Sequence, residues 1–307
     1  MTSSEPAKVW LDVDLGLGKF PADVDDALAL VMAMNSPELE VVGVSTTYGN
    51  VAEPVARHLT RRLLDFYPDR DVQLASGARS PRDAGGGRAL PAVGAISRVV
   101  EEYPGAVTLV CLGPLTTAAA LLTTCPQVAH DLGRLVVMGG AIVKFGGREF
   151  NFQHDPASTD FVLRATTPTW VFGLEVCTAQ VFSTRDYAQL VEAGKSSPLA
   201  RYLATHVWKW LVLNRALQGG GSQKGFYPFD PVATAYLVDP SIFRFAKVPL
   251  RHVVPRRLLA YPLQFPALRA YIDAAAPPAI PTAVHYATRL DSAKFKSLLL
   301  ERLTRRR

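Results

Sequence analysis

The chain has 307 residues, 49% of them hydrophobic and 20% charged, which suits one large α/β domain or two small ones with a substantial buried core. No apolar run reaches membrane-spanning length, and the start Met-Thr-Ser-Ser-Glu-Pro lacks the basic and apolar regions of a signal peptide, so a cytoplasmic protein with no membrane partner is expected. The net charge of +6 gathers in local runs such as Arg61-Arg62, Arg256-Arg257 and Arg305-Arg306-Arg307, none interleaved with aromatics, which argues against a nucleic-acid partner.

The first element carries the most chemistry. Lys8 to Val13 is an almost continuous apolar run that ends in Asp12 and Asp14, followed by Gly16. After a short insert, Asp25 and Asp26 open an amphipathic segment from Ala27 to Met34. This reads as a buried parallel strand feeding a helix, with four carboxylates gathered between them. Like charges that close repel, and a hard divalent cation with oxygen ligands is the simplest remedy. Helix capping accounts for Asp25 or Asp26, but not for Asp12 and Asp14.

Further along, Glu40–Thr47 is a second buried strand ending in Tyr48-Gly49-Asn50, and a helical pattern runs from Pro54 to Phe66. Asp71–Leu74 is a short strand, Gly77–Pro91 a loop rich in Gly, Arg, Ser and Pro, and Ala95–Tyr103 a helix. Strands at Val107–Leu112, Leu135–Met138 and Trp170–Leu174 alternate with helices at Ala118–Leu122 and Ser158–Ala165. The second half is more helical: Arg185–Ala193, Leu199–Leu217 and Val232–Val238, with a glycine-rich stretch at Gly219–Ser222. Strand candidates at Arg251–Val254 and Ala283–Tyr286 precede a terminal helix, Ser292–Leu303. The alternation predicts a mostly parallel central sheet wound with helices on both faces, in a single domain over residues 1–307 with frayed ends at 1–7 and 304–307. In such sheets ligands bind beyond the carboxyl ends of the strands. Cys111, Cys125 and Cys177 are widely spaced and read as free thiols.

Six motifs occur in an order that resembles the nucleoside hydrolases, the calcium-dependent N-ribohydrolases of the inosine–uridine-preferring type. They are Asp12-Val13-Asp14-Leu15-Gly16 with Asp25-Asp26-Ala27, then Thr46–Asn50, Leu112–Thr116, Val137–Gly140, Glu149–Asn151 with Asp155-Pro156, and Asp230-Pro231. The resemblance covers nearly the whole chain, and the family's Rossmann-like α/β fold agrees with the alternation above. It implies a Ca²⁺ held by Asp14, Asp26, Asp230 and the backbone carbonyl of Leu112, with Asp14 also the general base that activates a calcium-bound water. It implies ribose contacts from Asp25, Asn50, Glu149 and Asn151, support of the site by Asp12, a small-molecule nucleoside as partner, and a homodimer or homotetramer. Cleaving an N-glycosidic bond builds positive charge on the sugar, so a carboxylate-rich pocket favours the transition state.

Four departures from the family pattern stand out. The aspartate loop is longer by roughly seven residues, through Gly18–Val24, and Asp23 competes with Asp25 for assignment. Phe229 precedes Asp230 where many members carry a proton-donating histidine; an aromatic there stacks on a purine, with Tyr227, Trp208 or Trp210 as candidate second slices. Lys144–Arg148 lacks the asparagine usual upstream of Glu149, so either a contact to the sugar's 5′-hydroxyl is lost or Lys144 or Arg148 meets a different group there. The loop at Gly77–Pro91 has no histidine, and His154 near Asn151 is expected to pack locally. A purine or modified nucleoside is therefore the expected substrate. Two alternatives stay open: a calcium-dependent nucleoside- or ribose-binding protein without turnover, and a transferase that moves the ribosyl group to an acceptor other than water.

Overall fold

The computed structural model describes residues 5–85, 89–141, 149–217, 225–249 and 283–305. Through the first half, strand and helix alternate: β1 (Ala7–Val13), α1 (Asp25–Met34), β2 (Leu39–Thr46), α2 (Glu53–Leu64) and β3 (Gln73–Ser76), then a 3₁₀ turn at Pro81–Gly85 and α3 (Pro91–Glu102). They continue as β4 (Val107–Cys111), α4 (Thr116–Thr124), α5 (Val128–Asp131), β5 (Arg134–Met138), α6 (Phe150–His154), α7 (Pro156–Leu163) and β6 (Thr169–Phe172). The second half adds α8 (Leu174–Cys177), β7 (Phe182–Ser183), α9 (Thr184–Ala193), α10 (Pro198–Leu217), β8 (Gly225–Phe226), α11 (Phe229–Val238), β9 (Phe243–Pro249), β10 (Ala283–Leu290) and α12 (Ser292–Thr304).

Eight of these strands form one sheet in the order β3-β2-β1-β4-β5-β6-β10-β9, parallel throughout except for the antiparallel edge pair β10–β9. From β1 the chain winds outward through β2 to β3, then returns to the other side of β1 with β4. The winding direction therefore reverses between β1 and β4, and that reversal opens a crevice at the strands' carboxyl ends. Asp12 and Asp14 leave β1 there, and Leu112 follows β4.

Period-two alternation sorts the side chains between two cores. Val9, Leu11 and Val13 of β1 join the core that includes α1, α11 and α12, whereas Trp10 points to the opposite core with α3 and α4. Every residue of α1 is buried, because α11 and α12 pack against it as well as the sheet. Its two aspartates are thereby carried into the interior by an apolar helix.

Several boundaries differ from those expected. Ala7 and Thr304, assigned to frayed ends, begin β1 and end α12, since β1 pairs with β2 from Ala7↔Leu39 onward. Helix α11 starts at Phe229 rather than Val232, because Pro231 fits a first turn that needs no N–H donor there. Strand β9 was not foreseen: Arg244 and Lys247 interrupt its apolar pattern, as suits an edge strand. The expected strand at Arg251–Val254 and the glycine-rich stretch at 219–222 lie outside the described residues.

The indole of Trp10 locks β1 to β2. It is fully buried, donates from Nε1 to Ser45 Oγ at 3.0 Å, and lies so flat on Gly43 that a Cβ there would meet its ring at 2.2 Å. Gly43→Ala should therefore cost about 1–3 kcal/mol of stability through overpacking, read as a lowered Tm or urea midpoint. An unchanged midpoint would show that the indole has room to move.

Candidate functional site

The site is built where two helix N-termini meet the end of β1. Asp25 and Asp26 occupy the first turn of α1, and Asp230 the first turn of α11, where the helix dipole favours negative charge. Carboxylate oxygens of Asp25, Asp26 and Asp230 lie within 4.8 Å of one another, and all three residues are buried. Asp14 joins them through its backbone, whose N–H donates to Asp26 Oδ1 at 3.1 Å, and the Asp230 N–H reaches Asp25 Oδ2 at 3.4 Å. Asp25, expected on the sugar, thus stands in one group with Asp26 and Asp230, and the carboxyl of Asp14 meets that of Asp26.

Asp14 is held tightly. Its Oδ2 accepts the Asn50 N–H at 2.8 Å, and Gly49 comes so close that a Cβ there would fall 2.0 Å from that oxygen. Gly49 also has φ +150°, a region that favours glycine. Gly113 closes the other side, where a Cβ would meet Thr47 Cγ2 at 2.7 Å and Asp14 Cγ at 3.2 Å. Behind it, Asp12 accepts from Ser45 Oγ at 2.5 Å, and Ser45 in turn accepts from Trp10. The other oxygen of Asp12 is buried with no partner among the described residues.

Glu149 and Asn151 flank the carbonyl of Leu112. Asn151 Nδ2 donates to Leu112 O at 2.7 Å and to Met138 O at 3.1 Å. A carbonyl has two lone pairs, so Leu112 O can still face a cation. Glu149 caps α6: its Oε1 accepts from Asn151 N, and its Oε2 from Gly140 N and Phe152 N, at 2.8–3.0 Å. The expected 5′-side residues Lys144 and Arg148 lie outside the described residues. Asn50 behaves unexpectedly: its side-chain amide is bonded to the backbone of Asp23, as donor at 3.2 Å and as acceptor at 2.9 Å.

Electrostatics of the cluster follow from burial. Desolvation pushes the carboxyls of Asp12 and Asp14 up to about 7, and those of Asp23, Asp25, Asp26, Asp230 and Glu149 also rise. For Asp23, Asp26 and Asp230, neighbouring carboxylates add to the effect. Among the described residues, no lysine, arginine or histidine forms an ion pair with Asp12, Asp14, Asp25, Asp26 or Asp230. Several buried carboxylates, an available carbonyl and no basic counter-charge fit a hard divalent cation.

Other expected residues are less central. The rings of Phe229 and Tyr227 lie 5.8 Å apart at 58°. Trp208 is half exposed and packs on Tyr187 at 5.5 Å, whereas Trp210 has a buried Nε1 with no partner among the described residues. His154 Nδ1 meets Phe150 O at 2.8 Å, and its ring lies 4.0 Å from that of Phe150, so it packs locally as expected. Asp155, which precedes Pro156, has a structural role that its sequence context does not announce. It accepts from Thr116 Oγ1 at 2.7 Å and Ser158 Oγ at 2.5 Å, which leaves Tyr48 OH to donate to Thr116. Asp155 thereby ties together the loops after β2, β4 and α6, a role that its place in the Asp155-Pro156 motif did not reveal.

Comparison with known proteins gives a consistent result. The sequence model of the inosine-uridine preferring nucleoside hydrolases matches residues 9–296. Uridine nucleosidase 1 of Arabidopsis thaliana is 29% identical over 78% of this chain and 76% of its own length. The non-specific ribonucleoside hydrolase RihC of Escherichia coli is 32% identical over 76% of this chain and 80% of its own. A solved plant nucleoside hydrolase matches with a TM-score of 0.80 at 26% identity, covering 97% of this chain and 99% of that one. A purine-preferring ribonucleoside hydrolase from Gardnerella vaginalis shares the fold, with a TM-score of 0.78 at 23% identity and coverage of 97% and 98%.

The raised carboxyls set a pH signature for the protein free of cation. Their folded pKa values exceed the ordinary 3.8, so their contribution to stability is fully present below about pH 4 and is lost as pH rises towards about 7. A divalent cation needs the ionised carboxylates, so its stabilising effect grows across the same window. Melting curves with chelator or with Ca²⁺ at pH 5 and pH 7.5 should show a much larger cation-induced rise in Tm at the higher pH. Equal shifts at both would contradict this electrostatic picture.

Proposed function

Because the chain belongs to the inosine-uridine preferring nucleoside hydrolase family, whose members cleave N-glycosidic bonds, we propose that it hydrolyses ribonucleosides to ribose and free base with Ca²⁺ as its cation. The observation that carries this reading is the convergence of Asp14, Asp25, Asp26 and Asp230 at one buried point where the sheet's winding reverses. Asp26, Asp230, Asp14 and the Leu112 carbonyl are the residues assigned to the cation, with Asp25 next to them. The cation, when bound, balances the clustered charge and makes a neighbouring water easier to deprotonate.

The chain's own groups account for the rest. Asp14 takes a proton from the attacking water as the water oxygen bonds to the anomeric carbon of the sugar. Its rotamer is fixed by the Asn50 N–H and by contact with Gly49, so little reorganisation is needed. The bond from the sugar to the base nitrogen breaks with its electron pair going to the base. The carboxylates of Asp25 and Glu149 face the positive charge that develops on the sugar, and Asn151 keeps the Leu112 carbonyl in place.

On the base side, Phe229 offers a face for stacking and no proton. We propose a purine as the preferred base because its two fused rings cover more of an aromatic face. The relatives' names point another way: one acts on uridine and another is non-specific. Purine preference predicts a higher kcat/KM for inosine than for uridine, and the reverse order would rule it out. For the chemistry itself, Asp14→Ala should lower kcat on inosine by roughly 10²–10⁴-fold in single-turnover assays. Retention of near wild-type kcat would remove Asp14 from the role of base.

A further inference from the structure

The insert between Gly16 and Asp25 is bonded directly to the catalytic centre. Its turn is closed by Lys19 N–H to Gly16 O at 2.9 Å and Ala22 N–H to Lys19 O at 2.7 Å. The backbone N–H of Asp23 donates to Asn50 Oδ1 at 2.9 Å, and its carbonyl accepts from Asn50 Nδ2 at 3.2 Å. Gly16 crowds this pair, since a Cβ there would stand 2.5 Å from Asn50 Nδ2 and 2.6 Å from Ala22 Cβ. The amide of Asn50 is thus turned onto the insert and wedged there, while its backbone N–H holds Asp14 Oδ2.

The same clasp places the Asp23 side chain. It is partly buried, and one oxygen accepts from Val24 N–H at 2.5 Å and from Asp25 N–H at 3.3 Å. Among the described residues, the one further hydrogen-bonding partner of this carboxyl is the carboxyl of Asp25, which is itself only an acceptor when ionised, and Asp230 lies within electrostatic range. An ionised carboxylate is an acceptor only. An oxygen so placed, beside the site but short of a donor, is suited to a ligand that brings hydroxyl groups, which a ribosyl group does.

We propose that Asp23 is a substrate-contacting residue that accepts a hydrogen bond from a sugar hydroxyl beside Asp25, and that Asn50, clasped by the Asp23 backbone, positions Asp14 instead of binding sugar through its amide. This rests on the nucleoside reading above. It gives the insert a function: it fixes the residue that orients Asp14 and supplies a carboxylate of its own to the pocket.

The test compares inosine with its 2′-, 3′- and 5′-deoxy counterparts on wild type, Asp23→Ser and Asn50→Ala. Serine still caps the Val24 and Asp25 N–H groups but has no second oxygen; Asp23→Asn keeps cap and shape and serves as the conservative variant. Asp23→Ser should raise KM for inosine by about 10- to 100-fold, and the loss should vanish for the one deoxy substrate that lacks the contacted hydroxyl. Asp23→Asn should recover part of the loss. Asn50→Ala should lower kcat on all four substrates alike. A uniform effect of Asp23→Ser, or a hydroxyl-selective loss in Asn50→Ala, overturns the proposal. If wild type cleaves none of these, the nucleoside reading fails first, and calorimetry of ribose binding decides on Asp23: weaker binding by Asp23→Ser supports it, and equal binding or none by wild type overturns it.

Discussion

Repulsion among buried carboxylates is the constraint around which the molecule is arranged. Asp14, Asp25, Asp26 and Asp230 lie in an apolar interior with no basic partner among the described residues, and burial raises each of them. Two features of the scaffold oppose that cost. The N-termini of α1 and α11 converge on the cluster, and backbone N–H groups of Asp14, Asn50 and Asp230 are directed at its oxygens. They reduce the repulsion without removing it, and what remains is the free energy with which the site draws a cation. The apolar surroundings of α1 then acquire a purpose. A helix buried on every side cannot shift, so its first two residues stay aimed at the end of β1.

On the proposed reading, the chain keeps the residues assigned to the sugar and differs in those assigned to the base. Leu112, Asn151 and Glu149 form a bonded set around the β4 and β5 ends, and Asp12 is tied to Ser45 and Trp10 below. Against these, Phe229 brings a stacking surface with no acid, and the insert takes hold of Asn50. Phe229 has no proton to give, so on the proposed reading its contribution to departure of the base is stacking alone.

Much of this was legible because it is local or periodic. The apolar run of β1, its acidic end and the following helix follow from sequence pattern alone, and the alternation of strand and helix gave the parallel sheet. Other features depend on partners distant in sequence. Nothing around Asn50 indicates that its amide belongs to Asp23, 27 residues away, because backbone acceptors have no residue signature. Asp155 stood in a motif with no role assigned, because its partner Thr116 lies 39 positions earlier. The start of α11 was misplaced by the usual weight given to proline as a boundary. Edge strand β9 was hidden by its charges, which edge strands use to avoid unwanted pairing.

The most direct test of the central claim is release of nitrophenol from p-nitrophenyl riboside by wild-type protein, before chelation, after chelation, and after Ca²⁺ is restored. This leaving group departs without an acid, so the assay isolates the ribosyl side from base recognition. If the carboxylate cluster and its cation drive the cleavage, release should fall by about 10²-fold or more on chelation and return with Ca²⁺. Release that ignores the chelator, or no release with cation shown to be bound, would contradict the account.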